Sequence, residues 1–301
     1  MIKEISYENL VLEGGGFHGV AYVGCLRAME KEGLRDGLKR FGGASIGALV
    51  AFAAACRVPA KTMLADVMRL QEQNITGGAG YARAFYNFCS QYGFYDLQRY
   101  LTPWLEDLFQ RYCDDPHITF GQLKEKFGTD LFVAVFNRTR CRSEIKHQSD
   151  SRILPTIVAS MAFPGFFMPV HLPGSRDLYL DGGATNNFPI YLFDQGGVNM
   201  KTLGIRTVPE KSSFFSEEIG TSPPPITGLV DYYTGLLSTL VTSAQQRYEK
   251  PTDAARTCFV KIPDRYSAME FDASDHDKGK LYRIGYRAFL GYLNRLSGVY
   301  S

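Results

Sequence analysis

No apolar run in this chain is long enough to cross a bilayer. The two longest are Ala48–Cys56, which is too short, and Ile157–Val170, which Pro164 and Pro169 interrupt; a spanning helix needs about 20 consecutive apolar residues. The opening residues Met1-Ile2-Lys3-Glu4-Ile5-Ser6-Tyr7-Glu8 carry acids and no hydrophobic region, so no secretory signal is read there. Charge of one sign is missing as well. Lys and Arg number 33 and Asp and Glu 31, a formal net charge of +2, which removes any strong pull toward nucleic acid. The cysteines, Cys25, Cys56, Cys89, Cys113, Cys141 and Cys258, include no C-x-x-C pair. In a chain without a signal they read as reduced, partly buried thiols rather than a disulfide framework. No His, Cys and Asp cluster has metal-ligand spacing. There is no internal repeat, and Pro223-Pro224-Pro225 is too short to count as low complexity. These absences leave a soluble chain of 301 residues, enough for one domain with a sizeable core. Its expected place is the cytoplasm, with at most peripheral membrane contact.

Against that plain background, Gly43-Ala44-Ser45-Ile46-Gly47 stands out. It follows the apolar stretch Leu38–Phe41 and precedes Ala48-Leu49-Val50-Ala51-Phe52, so it reads as strand, very tight turn and helix. A G-x-S-x-G at such a junction is a nucleophile elbow. Gly43 and Gly47 let strand and helix approach closely, and the serine oxygen is lifted to a helix start, where the dipole favours a developing anion. The motif also occurs by chance, so its surroundings decide.

Thirty residues earlier, Asn9-Leu10-Val11-Leu12-Glu13 runs into Gly14-Gly15-Gly16-Phe17-His18-Gly19 and then a helix. Successive glycines turn backbone N–H groups into one concavity that suits an oxyanion or a phosphate. A simple strand–helix turn needs fewer. A third segment, Leu178-Tyr179-Leu180-Asp181-Gly182-Gly183, ends an alternating strand with a carboxylate at its C-terminal edge, where open α/β sheets build sites. Alone, Asp-Gly-Gly is an ordinary turn.

Taken together, in this order, the three segments resemble the patatin-like phospholipase family, which includes the cytosolic phospholipase A2 type of catalytic domain. Ala159-Ser160-Met161-Ala162-Phe163-Pro164 and Asn186-Asn187-Phe188-Pro189 add matching texture, and the likeness covers about residues 8 to 190. The resemblance implies a Ser–Asp dyad, with Ser45 as nucleophile and Asp181 as its base. It implies an oxyanion hole from the N–H groups of Gly14, Gly15 and Gly16, with Ile46 contributing. Gly43, Gly47, Gly19, Gly182 and Gly183 support these motifs. The chain departs from the family at His18, where Arg or Lys is common and orients the glycine loop; histidine would replace that cation only when protonated or through a neutral hydrogen bond. The implied activity is calcium-independent hydrolysis of carboxylic esters of phospholipids, with no cofactor and no metal. The implied partners are the acyl-lipid substrate, a transient membrane surface and an activating protein or ligand. The implied fold is a three-layer α/β/α sandwich with a mostly parallel sheet, a single patatin-like domain over residues 1–301 with a helical insertion or cap at 59–127.

Three other readings compete. Ser45, Asp181 and His276 satisfy the order of an α/β-hydrolase triad, although Ser45 follows only two strands and His276 sits in a polar loop. Gly14-x-Gly16-x-x-Gly19 fits a dinucleotide fingerprint, but the second strand ends at Ser45 without the acid that would hold a ribose, and Asp36 precedes that strand. A dormant lipid- or partner-binding module on the same scaffold is the third.

Strands alternating with helices argue for the layered α/β class. Strand, helix, strand, helix fill residues 8–57, and 59–127 reads as mostly helical with a break at Thr76–Gly80. Leu131–Phe136, a return strand to about Gln148, Leu178–Asp181 and Lys201–Ile205 are the further strands, with a helix at Pro155–Met161. Long helices near Gly228–Glu249 and Asp277–Leu296 follow. Eleven aromatics crowd residues 81–112, where the chain's average of 13% would give about four. They pack a helical subdomain onto the sheet or rim a cap over Ser45 that meets lipid. Arg138, Arg140, Arg142 and Lys146, and Lys278, Lys280, Arg283 and Arg287, form solvated faces or touch anionic headgroups.

Overall fold

The computed structural model describes residues 6–78, 80–210 and 250–297, together with the scattered positions Tyr232, Gly235, Leu236 and Thr239. The helix expected near Gly228–Glu249 lies outside the described residues apart from those positions.

Five strands run parallel: β1 (Asn9–Leu12), β2 (Arg40–Ala44), β4 (Asp130–Asn137), β9 (Thr202–Pro209) and β10 (Thr257–Ile262), in the order β10-β9-β1-β2-β4. β1 is the switch point. From it the chain goes outward to β2 and β4 on one side and returns to β9 and β10 on the other, so a crevice opens at its C-terminal end. There the chain enters the glycine loop. β1 is buried on both faces, and its alternation divides the core: Leu10 and Leu12 enter the large cluster, Val11 a smaller one with Phe188, Ile190 and Phe193.

The large cluster packs α1 (Gly19–Lys31), α2 (Ile46–Ala55), α8 (Ile153–Met161) and the long helix Asp275–Leu296 on one face of the sheet. α2 is Ala-rich and apolar all round, and nearly all of it is buried, as expected of a helix sandwiched between sheet and further helices. The other face is covered by the segment through the 3₁₀ turn Ile190–Phe193. The architecture is a three-layer α/β/α arrangement around a mostly parallel sheet.

The antiparallel strands decide where the site forms. β5 (Arg142–Lys146) pairs along one edge of β4, with Val133 opposite Lys146 and Asn137 opposite Arg142. On the other edge, β2 occupies β4 as far as Ala44 opposite Ala134, and β8 (Leu178–Asp181) takes over with Asp181 opposite Val135. Two strands thus meet head-on along one neighbour, and their C-terminal ends, Ala44 and Asp181, fall against consecutive residues of β4. β7 (Val170–His171) pairs outside β8.

Between β2 and β4 the chain builds α3 (Ala60–Arg69), α4 (Gln73–Thr76), α5 (Tyr81–Gln91), α6 (Leu97–Cys113) and α7 (Phe120–Phe127). This stretch holds one strand that helical periodicity hides, β3 (Gly93–Tyr95), which pairs with β6 (Gly165–Phe167) in a separate two-stranded sheet. Within its crowded aromatics Phe109 is buried and stacks on Phe52 at 3.9 Å between centroids, whereas Phe85, Tyr86 and Tyr92 are 58%, 67% and 70% exposed. Part of the cluster therefore packs into the core, while these three aromatics face solvent. All six cysteines are free, with Cys89 and Cys141 exposed. Among the described residues no helix is long and apolar enough to cross a membrane.

Candidate active site

Ser45 sits between β2 and α2 with φ 52° and ψ −132°, a left-hand-side conformation that costs a non-glycine residue about 1–3 kcal/mol. Its neighbours explain how the turn is held. A Cβ on Gly47 would lie 2.4 Å from the Glu13 carbonyl oxygen and 2.5 Å from that of Leu12, so glycine lets α2 start directly against the end of β1. The Ser45 N–H donates to Ser160 Oγ at 2.8 Å, and Ser160 Oγ–H donates to the Ala134 carbonyl at 2.7 Å. Ser160, fully buried on α8, thereby ties the elbow to β4. The Ser45 side chain makes no helix cap. Its hydroxyl stands beside the Asp181 carboxylate instead, near enough to lower that group's pKa.

Asp181 is 4% exposed and accepts the Gly183 N–H at 2.6 Å. Burial pushes its carboxyl up from the ordinary 3.8 to about 7, against the lowering effect of the nearby Ser45 hydroxyl and the Gly183 N–H. A carboxylate with that affinity for a proton is poised to take one near neutrality.

The glycine loop is clamped from two sides. The Gly14 N–H donates to the Asn187 carbonyl at 3.1 Å, and Asn187 Nδ2 returns a bond to the Gly14 carbonyl at 3.0 Å. On the other side the Phe17 N–H donates to the Ala268 carbonyl at 2.8 Å, and Gly16, at φ +52°, passes so close that a Cβ there would lie 2.0 Å from the same carbonyl oxygen. The expected set of oxyanion donors is corrected accordingly. Gly14 has committed its N–H to Asn187, whereas among the described residues the N–H groups of Gly15 and Gly16 meet no protein acceptor. Ile46, the first residue of α2, has no intrahelical acceptor for its own. Gly14 still serves by approach: a Cβ on it would lie 3.0 Å from Ser45 Cβ.

His18 is half-buried, with Nε2 3.0 Å from the Tyr266 carbonyl. Burial lowers its pKa below the ordinary 6.5, so at neutral pH the ring is uncharged and donates from Nε2. Its tie to Tyr266 is thus a hydrogen bond of the neutral ring. Behind the loop, buried Glu13 pairs with Arg206 at 3.1 Å and accepts the Thr207 N–H at 3.1 Å, fastening the end of β1 to β9. Sequence reading missed Ser160, Asn187 as a clamp, Tyr266 and the Glu13–Arg206 pair.

Ser45, Asp181, Gly15, Gly16, Ile46 and His18 open onto one cavity of about 580 Å³, whose other walls are chiefly apolar faces of α1, α2, α3 and α6. His276 is exposed on the first turn of the helix Asp275–Leu296 and does not line this cavity, so the Ser–Asp–His arrangement is not assembled. The basic cluster at 138–146 is largely paired, Arg140 with Asp177 at 2.7 Å and Arg142 and Lys146 with Glu144 at 3.0 and 2.7 Å. Among the described residues no group of three His, Cys, Asp or Glu side chains is placed to hold a metal ion. A hydroxyl beside a carboxylate of near-neutral pKa, with unpaired N–H donors next to it and an apolar cavity beyond, is equipped for acyl transfer.

The chain belongs to the patatin-like phospholipase family, which matches residues 10–194, from β1 past Asp181. Among its relatives, uncharacterized protein R571 of Acanthamoeba polyphaga mimivirus is 26% identical over 295 residues, covering 95% of this chain and 94% of that protein. The probable lipid hydrolase 463L of Invertebrate iridescent virus 6 is 27% identical over 197 residues, 63% of this chain and 64% of the viral protein. Neuropathy target esterase sws of Drosophila melanogaster is 29% identical over 300 residues, 93% of this chain but 19% of the esterase. The chain thus spans less than two thirds of the last two. In fold it is similar to VipD of Legionella pneumophila, with TM-score 0.60 and 15% identity over 96% of this chain and 67% of VipD. It is also similar to ExoU of Pseudomonas aeruginosa in its complex with SpcU, with TM-score 0.51 and 16% identity over 97% of this chain and 53% of that one.

Proposed function

We propose that this member of a lipid hydrolase family cleaves the carboxylic esters of phospholipids through an acyl-Ser45 intermediate, without calcium. The observation that carries the reading is the Asp181 carboxyl, buried, beside Ser45 and raised to about 7, at the edge of an apolar cavity. Asp181 takes the Ser45 proton as Oγ attacks the ester carbonyl. The N–H groups of Gly15, Gly16 and Ile46 meet the oxyanion, usually the largest catalytic term. Protonated Asp181 then gives its proton to the leaving alcohol, and the acyl chain stays on Ser45 with its tail in the cavity. Water, deprotonated by Asp181, releases the fatty acid and restores the serine. The helices of residues 60–113 act as a cap in this reading, and the exposed aromatics of α5 and Tyr92 are its contact with the lipid surface, which Tyr suits.

The test is fatty-acid release from mixed phospholipid vesicles with a calcium chelator present, combined with labelling by a fluorophosphonate probe. Wild type is expected to release fatty acid and to label. Ser45→Ala loses both, and Asp181→Asn loses release by at least three powers of ten. Release that persists in Ser45→Ala sinks the reading; release that persists in Asp181→Asn but is lost in His276→Ala moves the base to His276. Labelling of Ser45 without release points to an enzyme awaiting an activating protein or ligand.

A further inference from the structure

The cavity that opens at Ser45 has a polar far end. α6 lies alongside α2 in the same sense. Phe109 stacks on Phe52, and Cys113 stands near enough to Cys56 for the two thiols to shift each other's pKa. The C-terminal turns of the two helices are therefore together, at the end of α2 remote from Ser45. There the last cavity-lining residues are Ala53 of α2 and Tyr112 of α6, and with them stands Asp66 of α3. Asp66 is 2% exposed. It accepts the Tyr112 hydroxyl at 2.6 Å and pairs with Arg111 at 2.5 Å, so both carboxylate oxygens are engaged. Everything between Ile46 and this pair on α2 is apolar: Leu49 and Val50, then Ala53.

On the acyl hydrolase reading above, we propose that Tyr112, held by Asp66, is the stop that sets the longest acyl chain the cavity accepts. An alkyl terminus that reaches the ring meets a hydroxyl and a carboxylate already committed to each other. Passing further requires the ring to move, which takes the donor from a buried carboxylate. Helical rise bounds the depth. Ile46 to Ala53 is seven residues along α2, roughly 10 Å, and the α6 stripe from Leu97 to Tyr112 is fifteen, roughly 22 Å. An extended alkyl chain advances roughly 1.3 Å per carbon, from its ~1.5 Å bonds. The stop therefore falls between about eight and about seventeen carbons.

The experiment is calorimetric titration of saturated fatty acids of about six to eighteen carbons, below their micellar concentrations, into wild type, Tyr112→Ala and Ala53→Leu. Affinity is expected to rise roughly fourfold per carbon up to a break in that interval and then to level off. Tyr112→Ala moves the break several carbons longer. Ala53→Leu, which fills the same level from α2, moves it shorter and keeps the test in hand if the first variant folds poorly. An identical break in all three proteins, or affinity that does not grow with chain length, overturns the stop. Hydrolysis of a short ester by wild type and Ser45→Ala, run in parallel, separates the two ideas. A break that shifts in a protein with no Ser45-dependent hydrolysis keeps the stop and removes the enzyme.

Discussion

Asp181→Asn should end hydrolysis and at the same time stabilise the fold at alkaline pH, by an amount that the structure sets. The folded protein holds the Asp181 proton up to about pH 7, whereas a carboxyl in the unfolded chain releases it near 3.8. Below pH 3.8 both states are protonated and the group does not bear on stability. Between 3.8 and 7 the folded state binds one more proton than the unfolded state, so stability falls with rising pH at ~1.4 kcal/mol per pH unit. Above 7 both states are ionised, and the loss levels off on the order of 4 kcal/mol. Asparagine cannot ionise, so it removes this loss; its Oδ1 still accepts the Gly183 N–H that now lies at 2.6 Å. Equilibrium urea unfolding from about pH 4 to pH 9 should show wild type and Asp181→Asn equal at the acid end and diverging steadily toward pH 7. The variant is then more stable by up to about 4 kcal/mol. Hydrolysis by wild type should rise through the same window with a midpoint near 7, since only the ionised carboxylate accepts the serine proton. A variant less stable than wild type at pH 8, or a difference that does not change with pH, would refute the claim that burial raises this carboxyl.

Other substitutions test the scaffold. In Gly47→Ala the new methyl meets the backbone carbonyls of Glu13 and Leu12, at the end of β1, at 2.4 and 2.5 Å, and thermal unfolding should show a loss of roughly 3 kcal/mol or more, because neither carbonyl belongs to a movable side chain. Ser160→Ala leaves the Ser45 N–H and the Ala134 carbonyl without their shared partner; stability should drop by about 1–3 kcal/mol, with kcat falling far more than KM changes, and unchanged kcat would remove its positioning role. Replacing Phe85, Tyr86 and Tyr92 together by alanine should weaken sedimentation with phospholipid vesicles about tenfold or more, since each aromatic carries a large apolar payload. Hydrolysis of a water-soluble ester should be unchanged in the same protein.

The parts of this site readable from the chain are those encoded within a few residues of one another. The elbow, the triple glycine and Asp181-Gly182-Gly183 are each a turn at a strand end, and such turns demand particular residue types wherever they occur. The layered class was equally open, because β1, β2, β4 and β9 alternate with helices. β10, Thr257–Ile262, was missed, lying beyond the expected helix near Gly228–Glu249. β3 was hidden inside a helical stretch because three residues leave no period to read. Only the tertiary structure brought the pieces together. That Asp181 reaches Ser45 depends on β8 taking over from β2 along one edge of β4, a matter of sheet register that no local pattern records. Ser160 lies 115 residues from Ser45 and Tyr266 248 from His18, so their hydrogen bonds exist only once the layers are packed. The sequence by itself determined which groups are present, a serine, a carboxylate and a run of free amides. Packing decided their states: it raised the Asp181 carboxyl by removing water, left His18 uncharged for the same reason, and turned the Gly14 N–H away to Asn187.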